Sequence, residues 1–180
     1  MLLTQTITAL GNEPVTVAEV KVSARIDDDI TELDEQIKTL IASTRLMAEH
    51  ECERGFLPHT LQLGFTGWPS GTLPAALITE LVSVEVLDGT GWVLVDGFVL
   101  SQTICGTSEV VYTGDPEDLP ALPEADGERV RVKVDVGCPA NIRAYIIAMV
   151  AHQLTSTPGA QKADPPAYLN GLLDRERTWA

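Results

Sequence analysis

Apolar residues recur at helical spacing early in the chain and alternate with polar ones through its middle. Pro14 and Thr16 precede the first periodic run. Thr16 with Glu19 three residues later has capping-box spacing, in which each side chain satisfies the other's free backbone N–H. A short helix is therefore predicted from Val17. Asp27-Asp28-Asp29 interrupts the apolar spacing and offers a second N-cap ahead of Leu33. Leu33, Ile37, Leu40, Ile41, Thr44 and Ala48 then mark the single buried stripe of a long amphipathic helix, with Gly55 as its C′ stop.

The period changes after Gly55. Thr60 to Thr66 alternates Leu61, Leu63 and Phe65 with polar or small residues, as a half-buried strand does, and Trp68-Pro69-Ser70-Gly71 breaks it. Ile78 to Leu87 is a second β-rich run, ending in the turn Asp88-Gly89-Thr90-Gly91. Trp92 to Val95, Phe98 to Ile104 and Ser108 to Thr113 follow as short strands. The prolines and carboxylates of Gly114 to Gly127 predict an exposed loop. In ERVRVKVDV, Val130, Val132, Val134 and Val136 share one face and Arg129, Arg131, Lys133 and Asp135 the other. Helical spacing returns through Ile142, Tyr145, Ile146, Met149 and Val150, stops at Ser156-Thr157-Pro158-Gly159, and resumes briefly from Tyr168 to Leu173.

This order predicts an α+β fold, a helical bundle (N-terminal helix pair plus C-terminal helices) with an inserted antiparallel β-region. One domain is expected over 1–180: N-terminal helices in 1–56, the β-rich insertion in 57–138, C-terminal helices in 139–174 and a tail in 175–180. A hydrophobic share of 44% in 180 residues can bury a substantial core. The formal net charge of −14 changes the picture more, because so acidic a chain is repelled by phosphate. MLLTQTITALG lacks a basic n-region, and no apolar run approaches the length of a bilayer span, so a soluble, unprocessed chain without a membrane partner is expected. Cys52, Cys105 and Cys138 form no CxxC pair and are expected to be buried thiols in a reducing compartment.

Candidate chemistry is sparse. His50-Glu51-Cys52-Glu53-Arg54 approaches HExxH, but Arg54 stands where the second histidine is needed and cannot ligate zinc. The aspartate triplet lacks the alternating ligands, glycine and terminal glutamate of a calcium loop. Gly67-Trp68-Pro69-Ser70-Gly71 has Trp68 where a nucleophile elbow requires glycine, and Gly89-Thr90-Gly91 reads as a hairpin turn. No catalytic, cofactor or metal residue is assigned, and no enzyme activity or cofactor is expected. Against 26 acidic residues, Arg129, Arg131 and Lys133 are expected to pair with carboxylates on neighbouring strands or subunits. Arg175, Arg177 and Trp179 are interface-favoured types at a chain end.

The stretch EPVTVAEVKVSARIDDDITELDEQIKTLIASTRLMAEHECERGFL, followed by TLQLGF, resembles the head-to-tail connector (adaptor, or head-completion) proteins of long-tailed double-stranded DNA bacteriophages. Pro14, Val15, Thr16, Val17, Glu19 and Lys21 fill that family's usual opening, and Arg25 to Asp29 its acidic break. Leu73-Pro74, Val82-Ser83-Val84, Asp88-Gly89-Thr90-Gly91, Pro139-Ala140-Asn141-Ile142-Arg143 and Leu172-Leu173-Asp174-Arg175 with Trp179 continue the likeness over nearly the whole chain. Arg54-Gly55 reverses the usual Gly-Arg order, and the acidic loop of 114–127 departs from the pattern.

The resemblance implies a virion protein at the portal vertex, assembled in the host cytoplasm. It would form a homo-oligomeric ring, a dodecamer, between the portal protein and a stopper or tail-completion protein, with double-stranded DNA passing through without sequence-specific binding. Leu172, Leu173, Arg175, Arg177 and Trp179 are the implied portal contacts. Trp68, Arg129, Arg131 and Lys133 are the candidates for subunit or tail contacts. The competing readings are another neck ring, such as a stopper or tail terminator, and a small metal-dependent hydrolase using His50.

Overall fold

The computed structural model of the chain describes residues 1–74, 77–103, 107–124, 126–155 and 166–177. It divides into two compact units, each built from separate stretches of chain. Met1–Gly11 and Pro58–Gly137 form a β-unit; Asn12–Leu57 and Cys138–Ala180 form a helical unit.

The β-unit contains β1 (Leu2–Leu10), β2 (His59–Phe65), β3 (Ile78–Asp88), β4 (Gly91–Leu94), β5 (Phe98–Gln102), β6 (Ser108–Tyr112) and β7 (Val130–Val136). Its main sheet has the order β1-β2-β7-β3-β4 with every neighbour antiparallel, and β5 pairs with β6 separately. The valine alternation of β7 sets the centre. Val130, Val132 and Val134 are fully buried and stand opposite Phe65, Leu63 and Leu61 on one side, with Val86 opposite Val130 and Val84 opposite Val132 on the other. Each such side chain contributes about 1.5–3 kcal/mol on leaving water. Val110, Phe98, Trp68 and Leu122 belong to the same core.

The helical unit contains α1 (Val17–Ala24), α2 (Asp34–Cys52), α3 (Ala140–Thr155) and α4 (Tyr168–Asp174). The capping box forms as predicted: Glu19 N donates to Thr16 Oγ1 at 3.3 Å and Thr16 N to Glu19 Oε2 at 2.8 Å. Ile37, Ile41, Thr44, Ala48 and Cys52 are the buried face of α2. They share a core with Val20, Ile142, Tyr145, Ile146, Val150, Leu169 and Leu173.

The α+β class is as expected, with four differences in detail. Leu2–Leu10, read in the sequence only for a leader, is a strand of the main sheet. It shows no apolar alternation because neither of its faces is buried: every residue after Leu2 is exposed, and its register with β2 shifts between Leu2 and Thr4 and again between Ile7 and Ala9. The long helix ends at Cys52, not at Gly55: Glu53 takes the left-handed conformation at φ 53°. The chain reverses there because Glu49 Oε1 accepts the N–H groups of Phe56 (2.8 Å) and Leu57 (3.2 Å). Asp27-Asp28-Asp29 does not cap α2, whose N-cap position is Leu33 without a side-chain bond. Within the loop 114–127, Pro116–Asp118 forms a 3-10 turn capped by Asp115. The predicted helix stop at 156–159, Ile104 and Cys105 lie outside the described residues.

Gly64 leaves room for two side chains that cross above it. A Cβ there would lie 2.2 Å from Thr4 Oγ1 and 2.5 Å from the Glu128 carboxyl carbon, which meet above it in a 3.3 Å hydrogen bond from β1 to the turn before β7.

Candidate functional site: the charged and partner-facing surfaces of each unit

In the helical unit, the short α4 is held by both apolar and polar contacts. Leu173 is fully buried in the core, so this candidate portal contact anchors the helix and offers no outer surface. Leu172 is half-buried, and its carbonyl accepts from Asn141 Nδ2 at 2.8 Å. Arg177 reaches Glu51 at 2.7 Å and Asp174 at 2.9 Å, and Arg54 reaches Glu176 at 3.1 Å. Arg175 is exposed with no carboxylate partner among the described residues. Trp179 lies outside them.

In the β-unit, Arg131 and Lys133 of the basic row are ion-paired within the unit. Lys133 pairs with Glu85 of β3 at 2.7 Å, and Arg131 with Glu128 at 2.6 Å. The Arg131 guanidinium lies 3.7 Å from the ring centre of Trp92, a cation–π contact. Arg129 braces the sheet through its backbone, donating to the Phe65 carbonyl and accepting from Leu87 N. Trp68 stacks on Phe98 at 5.6 Å, and Phe98 meets Tyr112 at 5.0 Å, so the Trp68 ring is engaged in its own core.

The same neutralisation runs through the helical unit. Lys21 pairs with Asp34, Arg45 with Glu13 and Glu49, and Arg143 with Glu19, all at 2.6–2.8 Å. The cations are thus largely consumed inside each unit, while Asp27, Asp28, Asp29, Glu32 and the carboxylates of 115–124 are exposed. The charge presented to a partner is acidic, a surface that repels polyanions.

The residues of the near-HExxH stretch do not converge. His50 is exposed, Glu51 and Arg54 are in the ion pairs above, and Cys52 is buried against the Leu173 carbonyl. Burial raises the Cys52 thiol pKa and pushes that of Cys138 up to about 11, leaving both protonated at neutral pH. Among the described residues no group of three or more His, Cys, Asp or Glu is placed to hold a metal ion. A cleft of about 310 Å³ at the Leu10–Gly11 and Pro58–His59 end of the β-unit holds one carboxylate, Asp135, which accepts from Thr60 Oγ1 at 2.7 Å. Among the described residues no helix is long and apolar enough to cross a membrane.

No protein-family model matches the chain, and no curated protein matches it. Solved structures do. The chain is similar to one in the neck of an empty gene transfer agent (GTA) particle computed with C6 symmetry, at 19% identity and TM-score 0.59, covering 99% of this chain and 97% of that one. It is similar to a chain of the virion of a native gene transfer agent particle at 18% identity and TM-score 0.57, covering 99% and 97%. A chain of the neck of a native GTA particle computed with C12 symmetry matches at 19% identity and TM-score 0.55, covering 97% and 96%. At this identity the likeness is one of fold, and it extends over both units.

The signals that sequence reasoning missed are local. The uncharged run from Met1 to Asn12, rich in β-branched Thr and Ile, carries strand propensity. The burial of Lys21 has no sequence signal beyond its place one residue after Val20.

Proposed function

We propose that the chain is a structural component of the neck of a phage-like particle. It forms a ring between the portal and the stopper or tail, extends the DNA channel and completes the head, with residues 1–180 acting as one connector. The observation that carries this reading is the fold shared, over nearly the full length of both chains, with a chain from a neck computed with C12 symmetry. The charge distribution supports it. A net charge of −14, with most of the described basic side chains tied up in ion pairs, lets a duplex slide past without gripping it. Twelve copies, docking on the portal through exposed Arg175 and the residues after it, is the arrangement we favour.

The test is to purify particles made with and without this chain and to image them by cryo-electron microscopy. Without it, particles should lack a ring of density below the portal and lose packaged DNA. A neck that is complete and retains DNA in its absence overturns the reading.

A further inference from the structure

We infer that neighbouring copies of this chain join edge to edge through the β-unit, β4 of one copy pairing with β1 of the next. This rests on the ring proposed above and names the surface that closes it.

Both ends of the main sheet are unusual for solvent-facing edges. Natural sheets guard such edges with lysine, proline or other charges, because unpaired N–H and C=O groups recruit any extended chain. From Met1 to Asn12 there is no ionisable side chain and no proline, and Gly89 to Val95 has neither. Each edge also exposes large apolar side chains: Leu3 (43%), Ile7 (52%) and Leu10 (69%) on β1, Val93 (44%) and Leu94 (67%) on β4.

Charge selects the occupant. Two bodies carrying −14 each repel, so copies meet most readily through surfaces that are free of charge. The two edge strands carry no ionisable side chain of their own, and the charges beside them, Glu128 at Thr4 and Arg131 at Trp92, are already engaged within the sheet. Because the two edges are different surfaces at opposite ends of one sheet, they suit a head-to-tail contact, which closes into a ring when the rotation allows.

The topology fixes the polarity. Four successive antiparallel pairings separate β1 from β4, so the two strands run in the same direction. The small rotation between neighbours of a twelve-membered ring keeps that sense, so β4 of one copy and β1 of the next would meet parallel. The lengths agree: between its two register shifts β1 has one regular stretch, Thr4–Ile7, and β4 spans Gly91–Leu94, four residues each. So short a parallel joint is weak alone and is expected to close only when copies are gathered on a template.

The test uses the full chain assembled on particles. Ile7→Lys and Leu94→Lys, at exposed positions, should each leave the free protein folded and lower its incorporation into necks by about tenfold, the loss expected when an interface aliphatic becomes a charge. In mixed assemblies of Thr6→Cys and Leu94→Cys chains, a short bismaleimide should join peptides containing positions 6 and 94. Normal incorporation of both lysine variants overturns the inference while leaving the ring role intact. Cross-links only between two copies of position 6 overturn it in favour of a two-fold contact. If the unmodified chain never enters the neck, both this inference and the proposed function fall.

Discussion

Lys21, on α1, is almost completely buried, with 4% of its side chain exposed, and its Nζ lies 2.7 Å from Asp34 Oδ1 at the start of α2. The same nitrogen donates to the Asp28 carbonyl at 3.2 Å. One buried cation thus ties the acidic connection between the two helices to the unit's core.

Removing that cation leaves Asp34 and the Asp28 carbonyl without their partner. Lys21→Ala should cost about 3 kcal/mol of stability, the range for breaking a buried pair, and Lys21→Met about half as much because the aliphatic stem is replaced. Urea unfolding of the two variants measures this. A loss under about 0.5 kcal/mol for the alanine variant would show that the pair contributes nothing.

Glu49 ends the long helix by accepting from Phe56 and Leu57 and, through its other oxygen, from Arg45 at 2.7 Å. Glu49→Ala orphans two backbone donors and should cost about 2–3 kcal/mol. The accompanying signature is faster amide exchange at Phe56 and Leu57. Unchanged exchange at both would mean that Gly55, not Glu49, governs the exit.

The Glu19 carboxylate is held below its ordinary pKa of 4.5, first by the Thr16 backbone N–H, then by the Thr16 hydroxyl and Arg143. A depressed folded-state value means that its contribution is present above pH 4.5 and is lost as pH falls through the lowered value. Glu19→Gln should therefore flatten the acid side of the stability curve between about pH 5 and about pH 3. Denaturant midpoints measured across that window decide it; parallel curves for the two proteins would rule out the Glu19 contribution.

Leu173 anchors the end of the chain in the core, and under the proposed function the exposed Arg175 and the residues after it make the portal contact. Removing 173–180 takes out a fully buried leucine and should lower stability by about 2–5 kcal/mol, read by thermal melting. Removing only 178–180, or substituting Arg175→Glu, should leave the melting curve within error and reduce attachment to portal-bearing particles. Normal attachment of both would clear the tail of any docking role.

Much of the fold was legible because its signals are local and periodic. The capping box of Thr16 and Glu19, the valine alternation of Val130 to Val136 and the Asp88 turn each operate within a few residues, so the sequence itself specified them. Of Arg129, Arg131 and Lys133, expected to meet carboxylates on neighbouring strands or subunits, Lys133 meets Glu85 of the adjacent β3, whereas Arg131 meets Glu128 just ahead of its own strand.

What the sequence could not specify were relationships between distant segments. Leu2–Leu10 pairs with a strand about fifty residues later, and with neither face buried it lacks the alternation that would have marked it. Leu173 reads like Leu172 in one dimension; only packing among α2, α3 and α4 buries one and leaves the other partly open. Lys21 is an ordinary surface cation until Asp34 is brought to it. Local sequence determined which segments became helices and strands, because capping and side-chain period act over one or two turns. Tertiary structure alone decided which polar groups were buried and which sheet edges stayed open, because burial and pairing depend on what the rest of the chain supplies.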